Sequence, residues 1–176
     1  MRIIIKELEF GPVQLTGEVA PEILNMDPNE VILEEPVKVT VAAEKHPLGI
    51  RVQGSYSAVE HVPCARCLET YQVEARQDFD LFYQPHQTNR PITGEIELKE
   101  NDTDVSFFWG DGIEVGDILR EQILLNLPMK SVCREDCLGL CPHCGKNRNL
   151  EACDCESVLL DPRLEPLLKI KHRINL

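Results

Sequence analysis

Eight cysteines, set in close-spaced pairs, constrain this chain more than any other feature of its sequence. Cys64-Ala65-Arg66-Cys67 is one pair, while Cys133, Cys137, Cys141, Cys144, Cys153 and Cys155 crowd into one short stretch. The opening residues MRIIIKELEF carry charge at Lys6, Glu7 and Glu9, so they lack the long apolar run and cleavage site of a signal peptide. Without export, a cytoplasmic and reducing setting is expected. There, close-spaced cysteines are metal ligands more often than disulfides. Zinc comes first, because it takes thiolates in tetrahedral sets of four.

A chain of 176 residues suits one domain, or one domain with a small appended module. It is long enough for a hydrophobic core, so metal is needed only by a part too small to build its own. No apolar run approaches the roughly 20 residues that span a bilayer, and no membrane role is expected. Thirty acidic residues face 18 basic ones, for a net charge of −12. Such a surface repels phosphate backbones at long range and argues against a general nucleic-acid coat, while it suits a basic protein partner. By itself, acidity more often serves solubility alone. Four thiolates around one Zn²⁺ formally add about two negative charges per site. Arg66, Lys130, Arg134, Lys146 and Arg148 stand near enough in sequence to offset part of that.

The residue pattern predicts an α+β protein: a β-rich N-terminal sheet or barrel-like domain over 1–128, one buried helix, and a C-terminal zinc-binding cysteine module over 129–176 docked on it. Val37, Val39 and Val41 alternate with Lys38, Thr40 and Ala42, the period of a half-buried strand. Gly49 to Ser57 and Tyr71 to Tyr83 read the same way, which puts CARCL at the tip of a hairpin. Gln84 to Asn101 reads as a loop around a short strand at Glu95 to Leu98. A helix is predicted over Glu114 to Leu127, with Glu114 and Asp117 near the positive end of its dipole. Val115, Ile118, Leu119, Gln122, Leu125 and Asn126 trace one face, widened by Ile123, Leu124 and Leu127. Pro128 stops it and delivers the chain into the cysteine cluster. Further on, Pro162 to Lys171 is a short helical candidate interrupted by Pro166. Lys169, Lys171, His172 and Arg173 make a locally basic end, a pattern more often found in solvated tails than in binding sites.

Two divisions of the cysteines compete. In Cys141-Pro142-His143-Cys144-Gly145, two thiolates can clasp one metal, with Gly145 allowing the tight turn. Cys153-Asp154-Cys155 supplies two more sulfurs, which closes one tetrahedral site. Cys64, Cys67, Cys133 and Cys137 then form a second, pinning the hairpin tip to the segment after the helix. The rival partition joins Cys133, Cys137, Cys141 and Cys144 and leaves two distant pairs. The first division is preferred for its compactness, but spacing alone does not settle it. Burial as inert hydrophobes fails as a general account of eight paired cysteines. Thiol redox chemistry remains an alternative, although Cys64 and Cys67 lack a strand-to-helix setting. An iron–sulfur cluster also takes four thiolates.

No catalytic constellation is visible. His46, His61, His86, His143 and His172 are scattered, and no phosphate-cradling or nucleophile-elbow motif occurs. Asp78 with Asp80, and Asp102 with Asp104, read as exposed carboxylates. A site saturated by four cysteines keeps no open position for water, so structural metal is expected and no small-molecule substrate.

The run REQILLNLPMKSVCREDCLGLCPHCGKNRN followed by CDC, Arg120 to Cys155, resembles the signature of the bacterial YceD family of large ribosomal RNA subunit accumulation proteins. CARCL, Cys64 to Leu68, is similar to that family's upstream cysteine pair. The resemblance covers the second half of the chain closely and the first half in its strand pattern. Arg148 departs from it, standing where the family has an apolar residue. The resemblance implies a non-enzymatic role in making or stabilising large-subunit rRNA, hence in ribosome assembly. Its partner would be large-subunit rRNA, touched through Lys146, Arg148 and the Lys169 to Arg173 tail, or a basic ribosomal protein shielded by the acidic body. The protein-mediated route is slightly preferred.

Overall fold

The alternation that begins at Val37 propagates through four of the longest strands of the molecule. The computed structural model describes residues 1–86 and 105–155. In chain order they form β1 (Arg2–Ile4), β2 (Val13–Val19), α1 (Pro21–Leu24), β3 (Ile32–Leu33), β4 (Val37–His46), β5 (Gly49–Pro63), β6 (Thr70–Pro85), β7 (Val105–Phe108), β8 (Gly112–Glu114) and α2 (Val115–Asn126). The main sheet runs β2-β4-β5-β6-β7, with β3 added on β5, and β1 pairs β8 in a small separate sheet. Among the described residues the path has two ends, so the sheet is open there and does not close as a barrel. Its pairs are antiparallel except β6 with β7, which is parallel.

Register follows from the apolar alternation. Val39 faces Tyr56 and Ala43 faces Val52 across β4 and β5, and Val52 faces Leu81 across β5 and β6. All of these lie on one face with Val37, Val41 and Phe79, while Thr40, Gln53, Ser55 and Asp78 line the other. The apolar face is covered by α2, whose Val115, Ile118, Leu119, Gln122 and Ile123 are buried, and by Leu24 of α1. Each fully buried aliphatic side chain here contributes roughly 1.5–3 kcal/mol.

The helix is one residue shorter at each end than expected, and its last turn corrects the predicted face. Leu125 is 76 % exposed and Asn126 is not packed as a core residue. The group that meets this turn is the Tyr56 hydroxyl. It donates to the carbonyl of Gln122 at 3.5 Å and accepts from Asn126 Nδ2 at 3.3 Å, so apolar cover thins beyond Ile123, where Leu127 still packs, partly buried, against the core. No helix among the described residues is long and apolar enough to cross a membrane. The expected strand at Glu95 to Leu98, the Asp102–Asp104 pair, the helix at Pro162 to Lys171 and the basic residues Lys169 to Arg173 lie outside the described residues.

Candidate metal centres

The β5–β6 hairpin ends where Pro63 faces Thr70, and its tip carries Cys64 and Cys67. Within the tip, Cys64 N–H donates to the Glu69 carbonyl and Leu68 N–H to the Cys64 carbonyl, both at 2.9 Å. Closing this turn puts Leu68 in the left-handed region, at φ +63°. The chain leaving α2 then crosses the tip, and Ala65 N–H donates to the Ser131 carbonyl at 2.8 Å. That contact delivers Cys133 and Cys137 to the other side of the same space.

The four sulfurs of Cys64, Cys67, Cys133 and Cys137 lie within 4.8 Å of one another, and so do those of Cys141, Cys144, Cys153 and Cys155. In the first set, Cys64 Sγ to Cys137 Sγ is 3.9 Å and Cys67 Sγ to Cys133 Sγ is 3.8 Å. A disulfide needs about 2.05 Å. A tetrahedral ion bound at about 2.3 Å per thiolate puts its sulfurs about 3.8 Å apart. The donor set and the spacing therefore fit a single thiophilic ion. A cluster that binds each sulfur to a different iron needs a wider cage. Both tetrads are thus positioned to bind a metal ion.

The two sets differ in setting. Cys64, Cys67 and Cys137 are buried, whereas in the second set Cys141 is buried and Cys144 and Cys155 are exposed. In the first set Cys64 and Cys137 are drawn toward the thiolate, and in the second Cys141 is. Burial pushes the Cys64 thiol up, but the backbone N–H groups of Cys133, Cys67 and Arg66 point at its sulfur and bring it down to about 6. The backbone N–H groups of Cys144 and His143 do the same for Cys141, also to about 6. Cys67, Cys133, Cys153 and Cys155 move the other way. Burial and the adjoining sulfurs push Cys133 up to about 12, and the hydrogen bond with Cys144, followed by burial, pushes Cys155 up to about 12. Four thiols so close cannot all ionise alone; one bound cation removes that conflict.

Three residues that the cysteine spacing does not reveal hold the first tetrad together. Arg66 Nη1 donates to the carbonyls of Glu135 and Cys137 at 3.0 Å each, and the Arg66 carbonyl accepts from Leu140 N–H at 2.9 Å. Gly139, at φ +70°, passes so near that an added Cβ would stand 2.9 Å from that carbonyl. Asn149 Nδ2 donates to Cys137 Sγ at 3.3 Å. The asparagine pair at 147 and 149 was the available signal, since short amides often bond to nearby backbone.

The basic residues expected to offset thiolate charge are used more locally. Arg134 Nε is 3.4 Å from Asp136, and Lys146 Nζ is 3.2 Å from Glu151. Arg148 is exposed, with its N–H on the Gly139 carbonyl at 2.9 Å, so its departure from an apolar residue buries no charge. Elsewhere, Asp80 is held by Arg51 at 2.6 Å and by Gln53 at 2.9 Å on the polar sheet face. The hydrogen bond from Arg51 lowers the Asp80 pKa, as befits a structural ion pair rather than an acid–base pair with Asp78. His61 lies 3.7 Å from Glu34, and His86 stacks on Trp109.

The family model described as "Large ribosomal RNA subunit accumulation protein YceD" matches residues 52–171, a span that contains both tetrads. The chain belongs to the YceD family. An uncharacterized protein of Mycobacterium tuberculosis is 32% identical over 98 residues, covering 55% of this chain and 44% of the relative. The chloroplastic YCED homolog 1 of Arabidopsis thaliana, named a large ribosomal RNA subunit accumulation protein, is 23% identical over 160 residues. That match covers 80% of this chain and 50% of the relative. The chain thus spans about half the length of the curated relatives it matches. No solved structure matches it.

Proposed function

We propose that this chain is a non-enzymatic factor in the synthesis, processing or stability of large-subunit rRNA, acting in the cytoplasm during ribosome assembly and built on two structural zinc sites. Membership of the YceD family carries the reading. Zinc occupies Cys64, Cys67, Cys133 and Cys137 in one site and Cys141, Cys144, Cys153 and Cys155 in the other. The sulfur spacing supports a single four-coordinate ion in each, and thiolate sets without an open position support a structural role. The chain divides at Pro128, with a β-rich part over 1–128 and a metal-dependent part over 129–176 docked on it.

Within residues 129–155, Lys130, Arg134, Lys146 and Arg148 are balanced by Glu135, Asp136, Glu151 and Asp154. Eight bound thiolates make the same stretch and its tip net negative. That balance favours a basic ribosomal protein as the direct partner over rRNA itself. Depletion of the protein should lower large-subunit rRNA relative to small-subunit rRNA, and metal analysis should find two zinc ions in a colourless preparation. Unchanged subunit ratios would remove the assembly role. Visible absorbance from bound iron, or reversible cycling of Cys64 and Cys67, would replace it with a thiol or iron–sulfur redox protein. Ultraviolet crosslinks at a discrete site in large-subunit rRNA would overturn the protein-mediated route.

A further inference from the structure

Asn149 belongs by sequence to one tetrad and by contact to the other. It lies between Cys144 and Cys153, yet its side chain reaches Cys137. Its amide is fully engaged. Nδ2 donates to Cys137 Sγ at 3.3 Å and to Asn147 Oδ1 at 2.8 Å, while Oδ1 accepts from Leu138 N–H and Arg134 Nη2, both at 2.9 Å. Two donors and two acceptors exhaust the group's capacity. A side chain so committed has one orientation.

The backbone beneath it is shared as well. Leu140 pairs with Asn147, Cys141 N–H donates to the Lys146 carbonyl at 2.8 Å, and Arg148 N–H donates to the Gly139 carbonyl at 2.9 Å. These bonds close a short hairpin whose outer end carries Cys141 and Cys144, and whose base stands beside Cys137. Beyond it, Leu150 N–H and Glu151 N–H both donate to the Asn147 carbonyl at 3.0 Å. The segment that returns to Cys153 therefore departs from the residue that orients Asn149.

We propose that Asn149 is a positioning residue that couples the two metal sites: an ion in the exposed tetrad holds the 145–153 segment closed, which keeps the Asn149 N–H on Cys137 and slows exit of the ion from the buried tetrad. The inference rests on both tetrads being zinc sites. An N–H aimed at a metal-bound thiolate is an outer contact of the kind whose loss costs ~10–100-fold in metal affinity. Because coupling is reciprocal in binding, an intact buried site also favours loading of the exposed one.

The test uses the full chain loaded with zinc, challenged with excess chelator while a chromogenic dye reports free zinc. The wild type should release one equivalent fast and one slowly. Asn149→Asp keeps the Oδ1 acceptor for Leu138 and Arg134 but offers no N–H to sulfur, so the slow phase should accelerate ~10–100-fold. Cys155→Ser leaves Asn149 intact but disables the exposed site, and it should accelerate the remaining slow phase at least ~5-fold. With cobalt in place of zinc, the sulfur-to-metal charge-transfer band of the buried site should shift in Asn149→Asp, which a general loosening of the loop would not produce. Two equivalents bound by the wild type and by Asn149→Asp and one by Cys155→Ser, with the slow phase unchanged in both variants, would overturn the coupling and leave the zinc reading standing. Failure of the wild type to hold two equivalents would remove both.

Discussion

The two tetrads use the same chemistry to do different structural work. The buried one joins residues 66 and 73 positions apart, Cys67 to Cys133 and Cys64 to Cys137, and binds the tip of the longest hairpin to the chain leaving α2. The exposed one closes within residues 141–155, against little besides its own hairpin. Closing a long loop removes more chain entropy than closing a short one, by about 0.6 kcal/mol for each doubling of length. The first tetrad is thus a clamp on a fold that already has a core, with Val52, Ile118, Leu119 and Ile123 buried independently of any cysteine. The second has no apolar cluster of its own among the described residues. If it holds zinc as proposed, its fold should depend on that ion in the way that small domains without a core do.

Removing one sulfur from each site should expose that asymmetry most strongly. Cys137→Ser is expected to lose one zinc equivalent and about 4 kcal/mol of global stability, the scale of a cross-link closing a loop of this length. Cys155→Ser should also lose one equivalent, but less of that stability, because its loop is shorter and its opening leaves the sheet folded. Apart from the faster zinc release from the buried site, its damage should appear as fast hydrogen exchange in the segment around 141–155. Equal losses in chemical denaturation would mean that the two sites form one cooperative unit with the sheet, and the distinction between clamp and local fold would fail.

Much of the clamp was legible beforehand, for a local reason. The alternations around Val37, Gly49 and Tyr71 set strands with CARCL between two of them, and a hairpin tip follows from that alone. Spacing left two partitions of the cysteines open, because C-x₂-C and C-x₃-C pairs are equally able to close with several neighbours. In the fold, the Pro63–Thr70 register and the Ala65–Ser131 bond bring Cys64 and Cys67 beside Cys133 and Cys137. Neither is written in a period. Pairing of β1 with β8 joins residues at opposite ends of the sheet domain through three-residue strands, too short to show alternation. Leu125 was misplaced because helical periodicity marks a face but not where the facing sheet stops being apolar. Asn149 was missed because its partner sits across two turns.

A second measurement separates the sheet's own stability from that of the tetrads. Glu60 on β5 is 3 % exposed, its Oε1 has no hydrogen-bond partner, and burial pushes its carboxyl up to about 7. In the unfolded chain it ionises near the ordinary value of about 4.3. The folded form therefore holds its proton longer, and stability present at low pH is lost as pH rises through 7. Between pH 6 and 8, with zinc saturating, the wild type should lose roughly 1.4 kcal/mol from this group. Glu60→Gln should remove that slope and leave zinc release unchanged. A slope that persists in Glu60→Gln would place the pH dependence outside the sheet, and the core could no longer be treated as independent of the metal sites.

The finest comparison lies in the two C-x₂-C turns, which are built alike around different residues. Leu68 follows Cys67 as Gly145 follows Cys144; each donates its N–H to the carbonyl of the first cysteine at 2.9 Å, and each is left-handed, at φ +63° and +74°. Glycine adopts that conformation freely, whereas leucine gives up roughly 1–2 kcal/mol. Leu68 recovers little by burial, since it is 66 % exposed. Leu68→Gly should stabilise the protein by up to about 1 kcal/mol, after the greater unfolded-chain freedom of glycine is subtracted. Gly145→Leu should speed zinc exit from the exposed site without a steric clash, because no atom lies within 4 Å of the added Cβ. Thermal denaturation of Leu68→Gly decides the point. A loss in place of a gain would mean that the leucine is retained for the groove it shares with Leu124, Leu127 and Met129, and that the buried clamp tolerates a strained turn to keep that surface.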